Sequence, residues 1–201
     1  YNAEAFNQPI GDWNVSNVKD MRSMFEEATS FNQPIGNWNV SNVTNMGSMF
    51  SEATSFNQPI GGWNVSNVTN MGYMFYDAKA FNQPIGGWNV SNVTNMHSMF
   101  EEAKSFNQPI GNWNVSNVKD MSKMFEGASS FDQDLSRWDV SHVEYANDMF
   151  KGSGLSQENY CKMITTNEGW KRLNETFNLG ILYRCNGVYM GAAANCFVES
   201  L

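Results

Sequence analysis

The side chains able to do chemistry are few: three cysteines and two histidines in 201 residues, with 20 Asp and Glu against 12 Lys and Arg. Cys161, Cys185 and Cys196 all fall near the C-terminal end, with no CxxC pair, and His97 and His142 lie well upstream. That is not the spacing of a zinc site, and it offers no Cys–His nucleophile. Three cysteines allow three single disulfides. Cys185–Cys196, across a short loop, is the first expectation, and Cys161 paired with either is the alternative. A single disulfide here would favour an oxidising compartment. Ser136, Asp139 and His142 are the nearest approach to a nucleophile–base set, but nothing around them suggests an oxyanion hole. No Gly-rich phosphate loop or EF-hand pattern accompanies the carboxylates. The expectation is therefore a chain without catalytic residues, cofactor or metal.

Charge and hydropathy narrow the partners. A net charge of −8 argues against nucleic acid, whose phosphates need a basic face. No apolar run approaches the roughly 20 residues that would span a bilayer, so no direct membrane insertion is expected. Residues 156–201 carry four basic and four acidic side chains, so the whole excess of acid belongs to residues 1–155.

What must position these side chains is a repeat. Phe6, Phe31, Phe56, Phe81, Phe106 and Phe131 recur every 25 residues, and Trp13, Trp38, Trp63, Trp88, Trp113 and Trp138 keep the same phase. The units are 6–30, 31–55, 56–80, 81–105, 106–130 and 131–155, the last of them drifted, and 1–5 match the end of a unit. The chain thus opens inside a repeat, and further repeats or a cap upstream are expected. A fixed period of this length marks a solenoid, propeller or array.

In the second unit Val40, Val43, Met46 and Met49 are apolar at every third residue, followed by Phe50, Ala53 and Phe56. This is neither the recurrence of a long amphipathic helix nor the alternation of a hairpin. Only Trp38-Asn39-Val40-Ser41 alternates, which predicts one short parallel strand per unit. Gln33-Pro34-Ile35-Gly36 predicts a turn, and 46–53 a short helical or irregular return. Stacked, such units form a leucine-rich-repeat-like solenoid over 1–155, cored by the Trp, Val, Met, Phe and Ala columns. Residues 156–201 break the period and suit a small, mainly helical cap. Ser156 is placed to N-cap a helix over 157–164, and a second helix is expected through Trp170, Leu173 and Phe177.

The run V-x-x-M-x-x-M-F-x-x-A-x-x-F, carried by Val43, Met46, Met49, Phe50, Ala53 and Phe56, resembles the V-x-x-I-x-x-A-F-x-x-C-x-x-L segment of BspA-like leucine-rich repeats. The whole unit, with W-N-V-S-N-V-T-N-M, is similar to the Met- and Trp-rich subgroup of those surface proteins, over about residues 1–155. The LSQENY start of the last segment also resembles the LS-x-x-NY opening that follows the final repeat in many members. The resemblance implies a secreted or cell-surface protein that adheres to host or neighbouring cells, with no enzymatic activity in the repeats.

Two surfaces could recognise a partner. Asn14, Asn39, Asn64, Asn89 and Asn114 sit between Trp and Val in each unit and would point to solvent beside Ser16, Ser41, Ser66, Ser91 and Ser116. They read as a ligand face for glycan or peptide, or, with more weight, as a ladder satisfying itself along the stack. The variable columns lie elsewhere, and they bring Tyr73, Tyr76, Asp77 and His97 into neighbouring positions across two units. Amphipathic Tyr is favoured at binding sites, so this is the sharper patch, weighed against simple surface tolerance. Glu columns beside it form a solvated acidic edge. Thr44, Thr69 and Thr94 make a short Thr row, interrupted by Lys19, Lys119 and Glu144. Such a row is what an ice-binding face would need. Nine N-x-S/T sequons occur, but repeat units about 4.8 Å apart leave no room for a glycan on each, so Asn174 is the one candidate acceptor. The functional expectation is non-enzymatic recognition of a protein or glycan by a monomer outside the cell. A structural spacer, or an ice-binding solenoid, is the alternative.

Overall fold

The computed structural model describes residues 3–186 and, as backbone, residues 188–189. The repeats contain neither a helix nor a continuous strand. Between units the only strand-like pairing is a row of single parallel bridges, Asp20↔Asn45↔Asn70↔Asn95↔Asp120↔Tyr145. The strand expected at Trp38–Ser41 is absent: Val43 N–H bonds to the Val40 carbonyl at 2.9 Å and closes a turn there.

The unit is a succession of four-residue turns. Met49, Ser51 and Ala53 donate their amides to the carbonyls three residues back, of Met46, Ser48 and Phe50, at 3.1 Å each. The alternate amides of Met46, Ser48, Phe50 and Glu52 reach forward instead, to the carbonyls of Asn70, Gly72, Met74 and Tyr76 in the next unit, at 2.7–3.0 Å. Every backbone donor from Met46 to Ala53 is thereby used, four between units, three within turns, and that of Gly47 on the Asn45 side chain at 2.9 Å. The alternation requires left-handed backbone at Ser48 (φ 56°) and Glu52 (φ 59°), and their counterparts repeat it. That conformation costs a residue with Cβ roughly 1 kcal/mol or more; it is offset here by a paired amide at each such position. A helical return over 46–53 would leave the cross-unit bonds unmade.

The every-third spacing of the apolar residues follows directly. Residues at the two ends of a four-residue turn point the same way, and in the turns closed by Trp38, Val43, Met49, Ala53 and Phe56 they point inward. Ile35, Trp38, Val40, Val43, Met46, Met49, Phe50, Ala53 and Phe56 are all buried, as are their equivalents through the middle units. Aromatic rings stack along the array: Phe50–Phe75–Phe100–Phe125 at 5.5–5.7 Å and Phe56–Phe81–Phe106 at 6.1 Å between centroids. Phe50 lies 4.0 Å from Phe56, which opens the next unit. Fully burying one such ring stabilises by about 1.5–3 kcal/mol. Each indole from Trp38 to Trp138 also donates backward out of its own unit, as Trp63 Nε1 does to the Ile35 carbonyl at 3.1 Å.

Polar ladders run outside the core, and they use a different asparagine column from the one singled out by sequence. Asn32 Oδ1 accepts from the amide of Asn57 and from Gln58 Nε2, and the FNQP segments repeat this from unit to unit. Asn67 Nδ2 donates to the Ser41 carbonyl at 2.7 Å, and this column also recurs. In the drifted unit His142 takes that place, with Nδ1 2.9 Å from the Ser116 carbonyl.

The segment from Ser156 covers the last unit. Ser156 Oγ accepts from the Asn159 amide and starts helix α1, Gln157–Thr166, which buries Tyr160, Met163 and Ile164. The side chain of Asn167 accepts from the amides of Gly169 and Trp170 and starts α2, Glu168–Thr176, which buries Trp170 and Leu173. A two-residue pair follows, β1 (Arg184–Cys185) antiparallel to β2 (Val188–Tyr189). The amides of Asp148 and Phe150, which in other units reach the next repeat, bond to the Asn178 and Leu179 carbonyls at 2.7 and 2.9 Å. Asn167 and Arg172 donate to carbonyls of residues 136–143. Trp170 stacks on Trp138 and donates to the Leu135 carbonyl at 2.8 Å, continuing the indole column.

The disulfide differs from the first expectation. Cys185 bonds to Cys161, with Cα atoms 5.5 Å apart, rather than to Cys196, which lies outside the described residues. The reason is tertiary: Gln157 and Cys161, one turn apart on α1, both meet the Arg184 carbonyl, so β1 is held against that face of the helix. Peptide mapping without reductant is expected to recover the segments containing Cys161 and Cys185 as one linked species. Recovery of a 185–196 link instead would contradict this packing.

Candidate functional site

The variable columns meet on one edge of the stack, where the overlapping turns leave side chains pointing outward. Tyr73 stands at a left-handed position (φ 58°) that lifts its ring away from the core, and it is 42% exposed. Its ring meets His97 edge-on at 5.0 Å and Tyr76 at 6.0 Å between centroids. Tyr73 N–H also donates to the His97 carbonyl at 2.8 Å, so two adjacent units share the contact. Asp77 lies one residue beyond Tyr76, with its amide on the Glu101 carbonyl and its carboxylate 3.2 Å from Lys79. The four residues singled out by sequence are thus placed together.

The cluster extends further than that column count reached. His97 Nδ1 lies 3.6 Å from the carboxylate of Asp120 in the next unit, and Asp120 is bridged through its backbone to Tyr145, which is 55% exposed. Tyr76, Tyr73, His97, Asp120 and Tyr145 therefore form a diagonal row over the third to sixth units. Part of the signal was available: the column reads Asp20, Asn45, Asn70, Asn95, Asp120 and Tyr145, and Tyr145 is the one aromatic there.

Carboxylates border the row. The Tyr76 phenol is pushed above its ordinary range by partial burial, and then by Glu101, Glu52, Asp77 and Glu102 around it. Glu52 is likewise raised, first by burial and then by Glu27, Asp77 and Glu26, against a smaller opposing pull from Lys79. Further along, Glu126 sits between Lys123 and Lys151, at 3.2 and 3.1 Å, and these bonds hold it below the usual carboxylate range despite its burial. The acidic edge is thus neutralised toward the C-terminal units, and around Tyr76 Asp77, Glu101 and Glu102 face Lys79, Lys123 and Lys104, which leaves Glu52 as the carboxylate there with no salt bridge among the described residues.

The asparagine column faces solvent, as a ligand face would, but it does not form the expected ladder. The Oδ1 atoms of Asn14, Asn39, Asn64, Asn89 and Asn114 each accept from the amide of the serine two residues on, at 3.1 Å. These side chains are exposed, but they close local turns within their own units instead of linking units into a ladder. The physical cause is the turn at Val40–Val43, which brings the Ser41 amide back to Asn39. The Thr row is exposed, and the hydroxyls of Thr44, Thr69 and Thr94 donate to the preceding unit's carbonyls at 3.2–3.3 Å.

The remaining candidates are placed apart from this surface. Asn174 is 3% exposed, and its Oδ1 accepts from the Tyr160 hydroxyl at 2.7 Å, so the expectation of a glycan acceptor there is overturned. Burial pushes that phenol up to about 12. Asp139 accepts from Ser141, and Ser136 donates its amide to Asp134, so neither is bonded to His142. Asp134 is held at about 2, where the bonds from Lys162 and Ser136 outweigh the effect of burial. Among the described residues no group of three His, Cys, Asp or Glu could hold a metal ion. No helix among them is long and apolar enough to cross a membrane.

Comparison with known proteins gives one family. A family profile described as "Mycoplasma protein of unknown function, DUF285" matches residues 1–83 and 58–163. The two matches overlap within the array, as expected of a repeat read in two registers. No curated protein and no solved structure matches the chain. The profile spans all six units and the start of α1, and on that extent the chain belongs to this family of repeat proteins, whose function is unknown.

Proposed function

We propose that the chain is a recognition module: a leucine-rich-repeat-like solenoid of the BspA-like kind, at the cell surface or secreted, that binds protein or glycan without catalysis. The observation that carries this reading is the row of exposed aromatic side chains on an otherwise uniform frame. The Asn, Gln and Thr columns satisfy one another or the backbone, whereas Tyr73 and Tyr145 spend large amphipathic rings on solvent. Tyr is enriched where partners bind, because it offers a wide, stiff contact with a polar tip. The disulfide supports an extracellular setting, since such bonds persist in oxidising compartments.

The test is a solid-phase screen of the purified chain against matrix proteins, host cells and a glycan array, with a Tyr73→Ala/Tyr76→Ala double variant beside it. Binding lost in the double variant is the expected outcome. No signal above a denatured control would remove the recognition reading. A spacer role would then be left, favoured by the local satisfaction of the asparagine columns.

A further inference from the structure

We infer that the diagonal row from Tyr76 to Tyr145 is a docking track for a cationic, arginine-bearing segment of a partner protein in extended conformation. The inference rests on the recognition reading above and specifies its partner. Three features on this edge support it.

The first is shape. The row crosses the third to sixth units, and three intervals of about 4.8 Å make a track roughly 14 Å long, the reach of about four or five extended residues. It lies along an open edge of overlapping turns and not in a closed cavity, which suits a chain laid across it.

The second is the sign of the charge. Glu52, Asp77, Glu101 and Glu102 surround Tyr76, and Asp120 stands midway along the row. Lys79, Lys123 and Lys104 offset part of this, the first two at 3.2 Å from Asp77 and 3.8 Å from Glu101 and the third paired with Glu102, while Glu52 makes no salt bridge among the described residues and Glu26 and Glu27 lie beside it. A cationic partner is attracted here, an anionic glycan is repelled, and a neutral glycan gains nothing from the carboxylates.

The third is the chemistry of the rings. A guanidinium stacks on the face of Tyr and can bond a carboxylate with its edge. The row alternates those two kinds of group: Tyr73, His97, then Asp120, then Tyr145. Arginine on alternate residues of an extended segment would meet Tyr73 and Tyr145 with the Asp120 carboxylate between them.

The experiment uses the whole chain and three labelled hexapeptides, (Gly-Arg)3, (Gly-Lys)3 and (Gly-Ser)3, read by fluorescence polarisation at low and moderate salt, with a neutral-glycan array alongside. The expected result is binding of (Gly-Arg)3 ahead of (Gly-Lys)3 and none of (Gly-Ser)3, weakening as salt rises. Affinity is expected to fall at least about fivefold in Tyr73→Ala and again in Tyr145→Ala, and to be retained in Tyr73→Phe. Neither tyrosine substitution changes charge, so equal binding by wild type and both alanine variants would mean bulk attraction to an acidic chain and would overturn the inference. Tyrosine-dependent binding of neutral glycans without (Gly-Arg)3 would overturn the cationic partner and leave recognition standing. Silence in both arms, with the folded state verified by circular dichroism, would overturn this inference, and the wider screen would decide recognition separately.

Discussion

Trp170→Ala is expected to lower the stability of the C-terminal end by about 3–5 kcal/mol, the range for removing a large buried aromatic. Trp170 is fully buried, with its ring centroid 6.3 Å from Trp138 and 6.0 Å from Phe150, and its Nε1 on the Leu135 carbonyl. The substitution therefore opens a cavity under α2 and leaves a buried carbonyl without its donor. The response should be graded along the chain, because in a repeat array each unit is held chiefly by its neighbours. Hydrogen exchange should accelerate first in α1, α2 and the unit 131–155, and least in the middle units. Trp170→Phe keeps a ring on Trp138 but loses the N–H and part of the indole's buried volume, so it should cost about 1–3 kcal/mol. The same residue type at the other end gives the contrast. Trp13 is 54% exposed, and Trp13→Ala should cost less than about 1 kcal/mol. Uniform acceleration of exchange throughout the array, or no change at all, would mean that Trp170 does not close the indole column.

Trp170 also shows where sequence reading reached its limit. The other indoles announce their shared role by a spacing of 25, whereas Trp170 follows Trp138 by 32 because α1 intervenes. Periodicity finds a column only while the chain keeps its phase. The core was legible for the opposite reason: Val43, Met46, Met49, Phe50, Ala53 and Phe56 recur without insertion, and all are buried. Alternation at Trp38–Ser41 resembled a strand because the end of one turn and the start of the next also put alternate residues inside. Nothing in a residue list separates the two cases when each apolar position serves both patterns. The Ser156 N-cap and two helices were readable because capping chemistry is local. The Cys161–Cys185 pairing was not, since it depends on where β1 returns against α1. Tyr73, Tyr76, Asp77 and His97 stood out as departures from their columns, while Asp120 and Tyr145 needed the cross-unit contacts to join them.

How closely successive units approach is tested by two adjacent glycines with opposite expected outcomes. A Cβ at Gly61 would lie 2.3 Å from the Pro84 carbonyl oxygen of the next unit, whereas a Cβ at Gly62 would meet nothing within 4 Å. The first contact is with backbone, which has no rotamer to give, so Gly61→Ala must push two units apart and should cost about 1–3 kcal/mol. Gly62 has ordinary negative-φ or extended backbone, so Gly62→Ala restricts the unfolded chain without strain and should gain about 0.4–1 kcal/mol. The natural columns agree with this division. Glycine holds the first place in every unit that is followed by another, at Gly11, Gly36, Gly61, Gly86 and Gly111, each within 2.8 Å of the facing carbonyl by the same construction. Ser136, which faces the cap, is the first to carry a side chain there. The second place already accepts Asp12, Asn37, Asn112 and Arg137. Urea unfolding midpoints of the two single variants, measured against wild type, provide the check. An unchanged midpoint for Gly61→Ala would show that the units stand further apart than the turns of this chain require, and the cross-unit ladder at Met46, Ser48, Phe50 and Glu52 would lose its basis with it.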